Sequence, residues 1–291
     1  RTYHGQSIKY RSMNLYNLPD SDKNLIYRGV IDRLEINLPD ASIEKDWWVV
    51  QTLRLVFGME AGKHMVFKGG TSLSKAWNLI ERFSEDVDLG LNWEFFGFPD
   101  DISRNQVRTK LRKASNAYLS NEFRDTLQKA FNEHGFEDVK VVKAHEGDPD
   151  QDPVKIAVHY PQVTEKSAYI EPKVMLEIGS RSMREPFSAR KFCSFVGEAY
   201  PDKSFADTNI SIPCVNPERT FLEKLFLLHE EFQRPAEKTR VERLSRHLYD
   251  IEKIGRTQYA NKAIDNKELY RSIVAHRKKF SRLGHVDYTT H

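Results

Sequence analysis

The period of apolar positions along the chain changes several times, and each change marks an element. Residues 1 to 43 are polar and mixed, with helical spacing near Lys23 to Leu34 and turn chemistry at Leu38-Pro39-Asp40, and they read as an N-terminal arm or cap. From Ser42, an N-cap type with Glu44 and Asp46 behind it, apolar residues at Trp47, Val50, Leu53 and Phe57 recur at helical spacing and predict a helix to about Glu60. A short strand, His64 to Lys68, then runs into Gly69-Gly70 and a helix with Leu73, Trp77 and Ile80 on one face. Between Asp86 and Leu91 the period becomes two, which puts Asp86 and Asp88 on one face of a strand and Val87, Leu89 and Leu91 on the other.

Residues 103 to 134 read as two helices with a charged outer face, and residues 145 to 153 as a loop on composition. Strands are expected at 154–160, 169–178 and 209–215. Asn216-Pro217 looks like an N-cap with proline at the first helical position, and Phe221, Leu225 and Leu228 give that helix a stripe to bury. A breaker, Gln233-Arg-Pro-Ala236, separates it from a helix carrying Val241, Leu244, Leu248 and Ile251. The fold class expected is α/β (α+β): an arm and helix over residues 1–60, a mixed-sheet core over 61–215 and a C-terminal helical domain over 216–291.

Composition narrows the class. In 291 residues, 39% hydrophobic and 30% charged, there is apolar material for a real core beneath a heavily charged surface. No apolar stretch approaches the roughly 18 residues that span a bilayer, and the start lacks a signal-peptide layout, so a soluble cytoplasmic protein without a membrane role is expected. Cys193 and Cys214 have no zinc-type spacing. The 45 Lys and Arg against 42 Asp and Glu are too balanced to announce a nucleic-acid binder. Basic clusters at residues 108–113, 238–246 and 277–279, and acid at 146–152, are each more simply solvated faces.

The chemistry begins with Asp86 and Asp88. Two aspartates one residue apart on a strand sit about 7 Å apart on the same side, so their carboxylates can converge on one divalent cation. Mg²⁺ suits hard oxygen ligands completed by substrate phosphates, although most such pairs are a solvated strand face. Upstream, Gly69-Gly70-Thr71-Ser72 exposes backbone N–H groups at a helix start and adds hydroxyl donors, a seat for phosphate; a tight turn that needs glycine is the plainer alternative. Glu177, on a strand whose other face is Val174, Leu176 and Ile178, is a third carboxylate that completes a metal site, acts as a base or is an edge-strand surface residue.

The runs GGTSLSK (Gly69 to Lys75) and RFSEDVDLGL (Arg82 to Leu91), with Thr220-Phe-Leu-Glu-Lys-Leu225 and Arg246-His-Leu-Tyr-Asp250 in order behind them, resemble the AbiEii/AbiGii toxin nucleotidyltransferases, a branch of the DNA polymerase β-like superfamily that includes the MenT toxins. The resemblance implies that Gly69, Gly70 and Thr71 hold a triphosphate and that Asp86 and Asp88 bind magnesium. It matches Ser84 to a serine near the phosphates, Lys224 to a nucleotide-contacting lysine and Asp250 to a late aspartate. Glu177 is a weaker transfer, and Lys75 either reaches phosphate or faces solvent. The function implied is Mg-dependent transfer of a nucleoside monophosphate from a nucleoside triphosphate to an acceptor hydroxyl, with Asp250 or Glu177 orienting or deprotonating it. The acceptor implied is RNA such as the tRNA 3′ end, with phosphate contacts near Lys110 and Arg243, and the setting is a toxin of a toxin–antitoxin or phage-defence pair whose antitoxin is encoded nearby. Modification of a protein side chain, a nucleotide-sugar glycosyltransferase built on Asp86-Val-Asp88 and a non-catalytic nucleotide-binding regulator are the competing readings.

Overall fold

The computed structural model describes residues 15–84, 86–99, 102–144, 152–180, 186–238, 244–280 and 286–288. The part of the arm over 1–14, the loop 145–151, Val241 and Arg243 lie outside the described residues. Two N-terminal helices, α1 (Asp20–Leu34) and α2 (Asp40–Gly58), precede the sheet. Helix α2 starts two residues before Ser42: the Asp40 carboxylate accepts from the Ala41 N–H at 2.9 Å, while Ser42 is buried. Its buried residues run almost all round, from Ala41 to Leu53, which makes it a core helix rather than a one-sided one.

Strand β1 (Met65–Lys68) leads into the short helix α3 (Gly69–Lys75). That helix stops before Trp77 and Ile80, with Asn78 in a left-handed conformation, yet Ile80 still packs beside Leu73. Strand β2 (Asp86–Leu91) follows. Residues 104–133 form one helical run, α4, not two helices; wider π-type turns at Val107–Leu111 and Leu119–Phe123 interrupt its period and mimic a break. Then come β3 (Lys140–Lys143), β4 (Val154–His159), β5 (Lys173–Gly179), β6 (Phe187–Phe192), α5 (Phe195–Ala199) and β7 (Ile210–Val215). The short β3 and β6, with exposed alternate positions, were absent from the sequence expectation.

The seven strands form one mixed sheet, ordered β3-β4-β5-β2-β1-β7-β6. Strand β2 pairs antiparallel with β1 and parallel with β5. One face is the core: Phe67, Val87, Leu89, Val154, Ile156, Leu176, Ile178 and Cys214 are buried there with α2 and the later turns of α4. The opposite face carries Lys68, Asp86, Asp88 and Glu177, the alternation expected of strands covered on one side.

The C-terminal helices are α6 (Pro217–Phe232), α7 (Leu244–Gly255), α8 (Gln258–Asp265) and α9 (Lys267–Phe280). Asn216 precedes α6, but its side chain accepts from Ser188 Oγ at 2.8 Å instead of capping. On α6 the buried apolar residues are Phe221, Leu222, Phe226 and Leu228, whereas Leu225 is exposed, as is Leu248 on α7. Leu73 and Ile80 join Phe221, Phe226, Ile254 and Ile273 in a second apolar cluster. Helix α3 is therefore gripped on one flank by the C-terminal helices. None of the helices described is long and apolar enough to cross a membrane.

Candidate active site

The acidic side of the site is written by strand register. Lys68 lies opposite Asp88, and Asp88 lies opposite Glu177, so the three side chains share a row on the uncovered face, with Asp86 one step along. Gly69 follows Lys68 with φ +76°, and a methyl group there would stand 1.9 Å from Asp88 Oδ2. Glycine is required twice, for the left-handed turn and for the approach of the carboxylate. A methyl at Gly70 would meet Arg82 Nη2 at 2.7 Å and Ser84 Oγ at 2.8 Å, so Gly69, Gly70, Ser84 and Asp88 converge at the start of α3.

Burial pushes the Asp88 carboxyl up to about 6, and the neighbouring Glu177 and Asp86 push the same way against Lys68 and Lys224. These are hard oxygen donors on one face, and they fit Mg²⁺. Among the described residues no group of three His, Cys, Asp or Glu is placed to hold a metal alone. Asp86 and Asp88 are two carboxylates that would suit an ion keeping water and phosphate ligands. Glu177 is engaged by Lys155, whose Nζ donates to Oε1 at 2.5 Å.

The basic side comes from the helices. Lys224 on α6 lies 2.9 Å from the Asp250 carboxylate on α7. Arg82 reaches the same carboxylate with two bonds, Nε to Oδ1 at 2.8 Å and Nη2 to Oδ2 at 2.7 Å. Asp250 is fully buried. Burial alone would raise its carboxyl, but Arg82 and Lys224 hold it below the usual carboxylate range. His247 stands 3.4 Å from Lys224, and burial together with that ammonium lowers its imidazole. Lys68 also lies near the helices: half-buried Glu223, against the effect of desolvation, is held low by Arg219, Lys68, Arg277 and His276.

The remaining expected residues fall elsewhere. The Thr71 hydroxyl donates to the Asp86 carbonyl at 2.5 Å, which ties α3 to β2 and leaves only its backbone N–H for a phosphate. Ser72 is buried beside the Cys214 thiol on the core side. Lys75 neither faces solvent nor turns to the acids: it is buried toward α2, 3.0 Å from Asp46 and 3.7 Å from Glu198, with Nζ 3.9 Å over the Phe195 ring. That flank of α3 lines a cavity of about 510 Å³ with Asp46, Asn78, Phe195 and residues 35–38, and the cavity reaches Thr71, Arg82 and Ser84. Lys68, Arg82, Lys155 and His247 were not singled out, although Lys68 abuts the glycine pair and Arg82 opens the second motif run.

The family model described as "Nucleotidyl transferase AbiEii toxin, Type IV TA system" matches residues 54–290. No curated protein matches in sequence. Among solved structures, the MenT4 nucleotidyltransferase toxin of Mycobacterium tuberculosis H37Rv is similar in fold at a TM-score of 0.50 and 19% identity, over 90% of this chain and 71% of that one. The chain belongs to the AbiEii nucleotidyltransferase toxin family; it is a nucleotidyltransferase, with a nucleoside triphosphate as substrate and an antitoxin as partner.

Proposed function

We propose that this AbiEii toxin transfers a nucleoside monophosphate from a Mg²⁺-bound nucleoside triphosphate to a hydroxyl of an RNA acceptor, such as a tRNA 3′ end, within a toxin–antitoxin or phage-defence pair in the cytoplasm. The observation that carries the reading is the opposition of Asp86 and Asp88 on the sheet to Lys224 from helix α6 and Arg82 from the segment before β2, with the glycine turn beside them. Asp86 and Asp88 would hold the metal, which neutralises developing charge on the phosphates. The backbone N–H groups at Gly69, Gly70 and Thr71, in the first turn of a helix, face the triphosphate beside Ser84. Lys224 and Arg82 stabilise its negative charge.

Asp250, saturated by Arg82 and Lys224, serves as the group that positions both cations and is a poor base. Of the two candidates for that role, Glu177, next to Asp88 and paired with the single cation Lys155, is the one assigned to the acceptor hydroxyl in this proposal. The acceptor oxygen bonds to the α-phosphorus, the bond to the β-phosphate oxygen breaks, pyrophosphate leaves and the hydroxyl proton passes to the carboxylate. The division into an N-terminal unit (1–60), a core (61–215) and a helical domain (216–291) is part of this proposal, supported by the second apolar cluster that the C-terminal helices build around Leu73 and Ile80. Its test is incubation with Mg²⁺, each α-labelled nucleoside triphosphate and total tRNA, beside an Asp86→Ala/Asp88→Ala control. Label on RNA, absent in the control, is expected; label on protein instead would make a side chain the acceptor.

A further inference from the structure

The uncovered face of the sheet continues past the carboxylates across β5, β4 and β3. Register places Asp86, Met175, Ala157 and Val142 in one row, about 14 Å long at ~4.8 Å per strand, ending in an exposed Val142 at the sheet edge. Lys173, His159 and Lys140 form the parallel row on one side. On the other side Lys155 stands next to Glu177. The result is a flat strip with an apolar floor and cationic borders that starts at the metal-binding pair. Lys155 pairs with Glu177 and Lys173 with Glu171, and Lys140 stands exposed at the edge of the row. By contrast, Lys110 sits on α4, whose later turns pack on the opposite face.

Resting on the RNA-acceptor reading, we infer that this strip is the track on which the acceptor lies: a single-stranded polynucleotide, its phosphates on Lys140, Lys155 and Lys173, its bases against Met175 and Val142, and its terminal hydroxyl at Asp86. Phosphate-tracking cations beside a sequence-tolerant apolar floor are what a single strand needs. A protein acceptor would have no need of lysines on both borders of an apolar strip, with Lys140 exposed and Lys155 and Lys173 half-buried beside their carboxylates.

The test measures binding of a short single-stranded RNA to the full chain over a range of salt concentrations, together with transfer kinetics. The variant is Lys140→Ala/Lys173→Ala, with Lys140→Arg/Lys173→Arg as the charge-keeping partner. The alanine pair should reduce the salt slope of log Kd by about 1.4, at roughly 0.7 for each phosphate no longer neutralised. It should raise the acceptor KM about 10-fold and leave the nucleotide KM and the kcat at saturating acceptor unchanged, and the arginine pair should restore binding. If the wild-type chain labels RNA and the alanine pair binds RNA with unchanged affinity and slope, the track is wrong while the RNA-acceptor reading stands. A wild-type chain that binds and labels no RNA overturns both.

Discussion

Asp88, half-buried, and Asp250, fully buried, are aspartates on opposite sides of one cleft, and they titrate in opposite directions. On the sheet, burial and the like charges of Glu177 and Asp86 lift the Asp88 carboxyl to about 6. On the helices, burial is outweighed by Arg82 and Lys224, and Asp250 is held low. On the sheet the cations nearby do not outweigh burial and like charge, whereas on the helices they do. A carboxyl pushed up in a cleft points to a binding site, and one held low by its own cations points to a scaffold.

The sharpest way to break the comparison is at the sheet. Asp86→Ala/Asp88→Ala should lower nucleotidyl transfer roughly 10³-fold or more, since metal charge neutralisation supplies several kcal/mol of the barrier. The same surgery should not unfold the chain. A carboxyl raised in the folded state contributes stability that is present at low pH and lost as pH rises through its folded value. Asp88→Asn should then stabilise the metal-free protein at pH 8 by on the order of 1–3 kcal/mol in chemical denaturation. A large destabilisation would show that Asp88 is a structural group.

Asp250→Ala makes the opposite case. It strands Arg82 and Lys224, and removing one partner of a buried ion cluster costs about 3–5 kcal/mol. Transfer should fall about 10²-fold through misplaced cations, with a higher nucleotide KM. Asp250→Asn, which keeps a hydrogen-bond acceptor, should recover much of the stability. If Asp250 were a general base instead, the asparagine variant would be as inactive as the alanine one while its nucleotide KM stayed normal.

What the sequence discloses follows the same division. The alternation over Asp86 to Leu91 specified both the strand and the face of its acids, because period two is local. The glycine pair was legible for the same reason, with Asp88 as the neighbour that demands it. The pairing of Arg82 with Asp250 spans 168 residues and leaves no local pattern. Helix α4 read as two because its π-type turns shift the apolar period, and the exposure of Leu225 depends on where α7 and α8 dock.

A third measurement sharpens the comparison by pH. Magnesium binding requires an ionised Asp88, so affinity for Mg²⁺ with nucleotide, followed by calorimetry, should weaken by up to about 10-fold per pH unit below pH 6. Asp250, held low, should stay ionised across that range. It contributes stability that is present above its unfolded value and lost only as pH falls through its lowered folded value, toward acid unfolding. A metal affinity independent of pH between 5 and 7 would remove Asp88 from the coordinating pair.

Lys75 carries the smallest expected effect on activity and separates scaffold from site most cleanly. It lies in the GGTSLSK run, where a phosphate contact is the natural expectation, yet its ammonium is buried against Asp46. Asp46 also accepts from the Phe195 N–H at 2.7 Å, which joins α2, α3 and α5 in one polar node. Lys75→Met alone leaves a buried carboxylate with one fewer partner and should destabilise the fold by about 3 kcal/mol, while the nucleotide KM stays within about 3-fold. Adding Asp46→Asn removes the stranded charge and should recover part of the loss, a coupling that a double-mutant cycle reads directly. A phosphate-binding lysine behaves otherwise: the nucleotide KM would rise at least 10-fold, and no change at Asp46 would restore it.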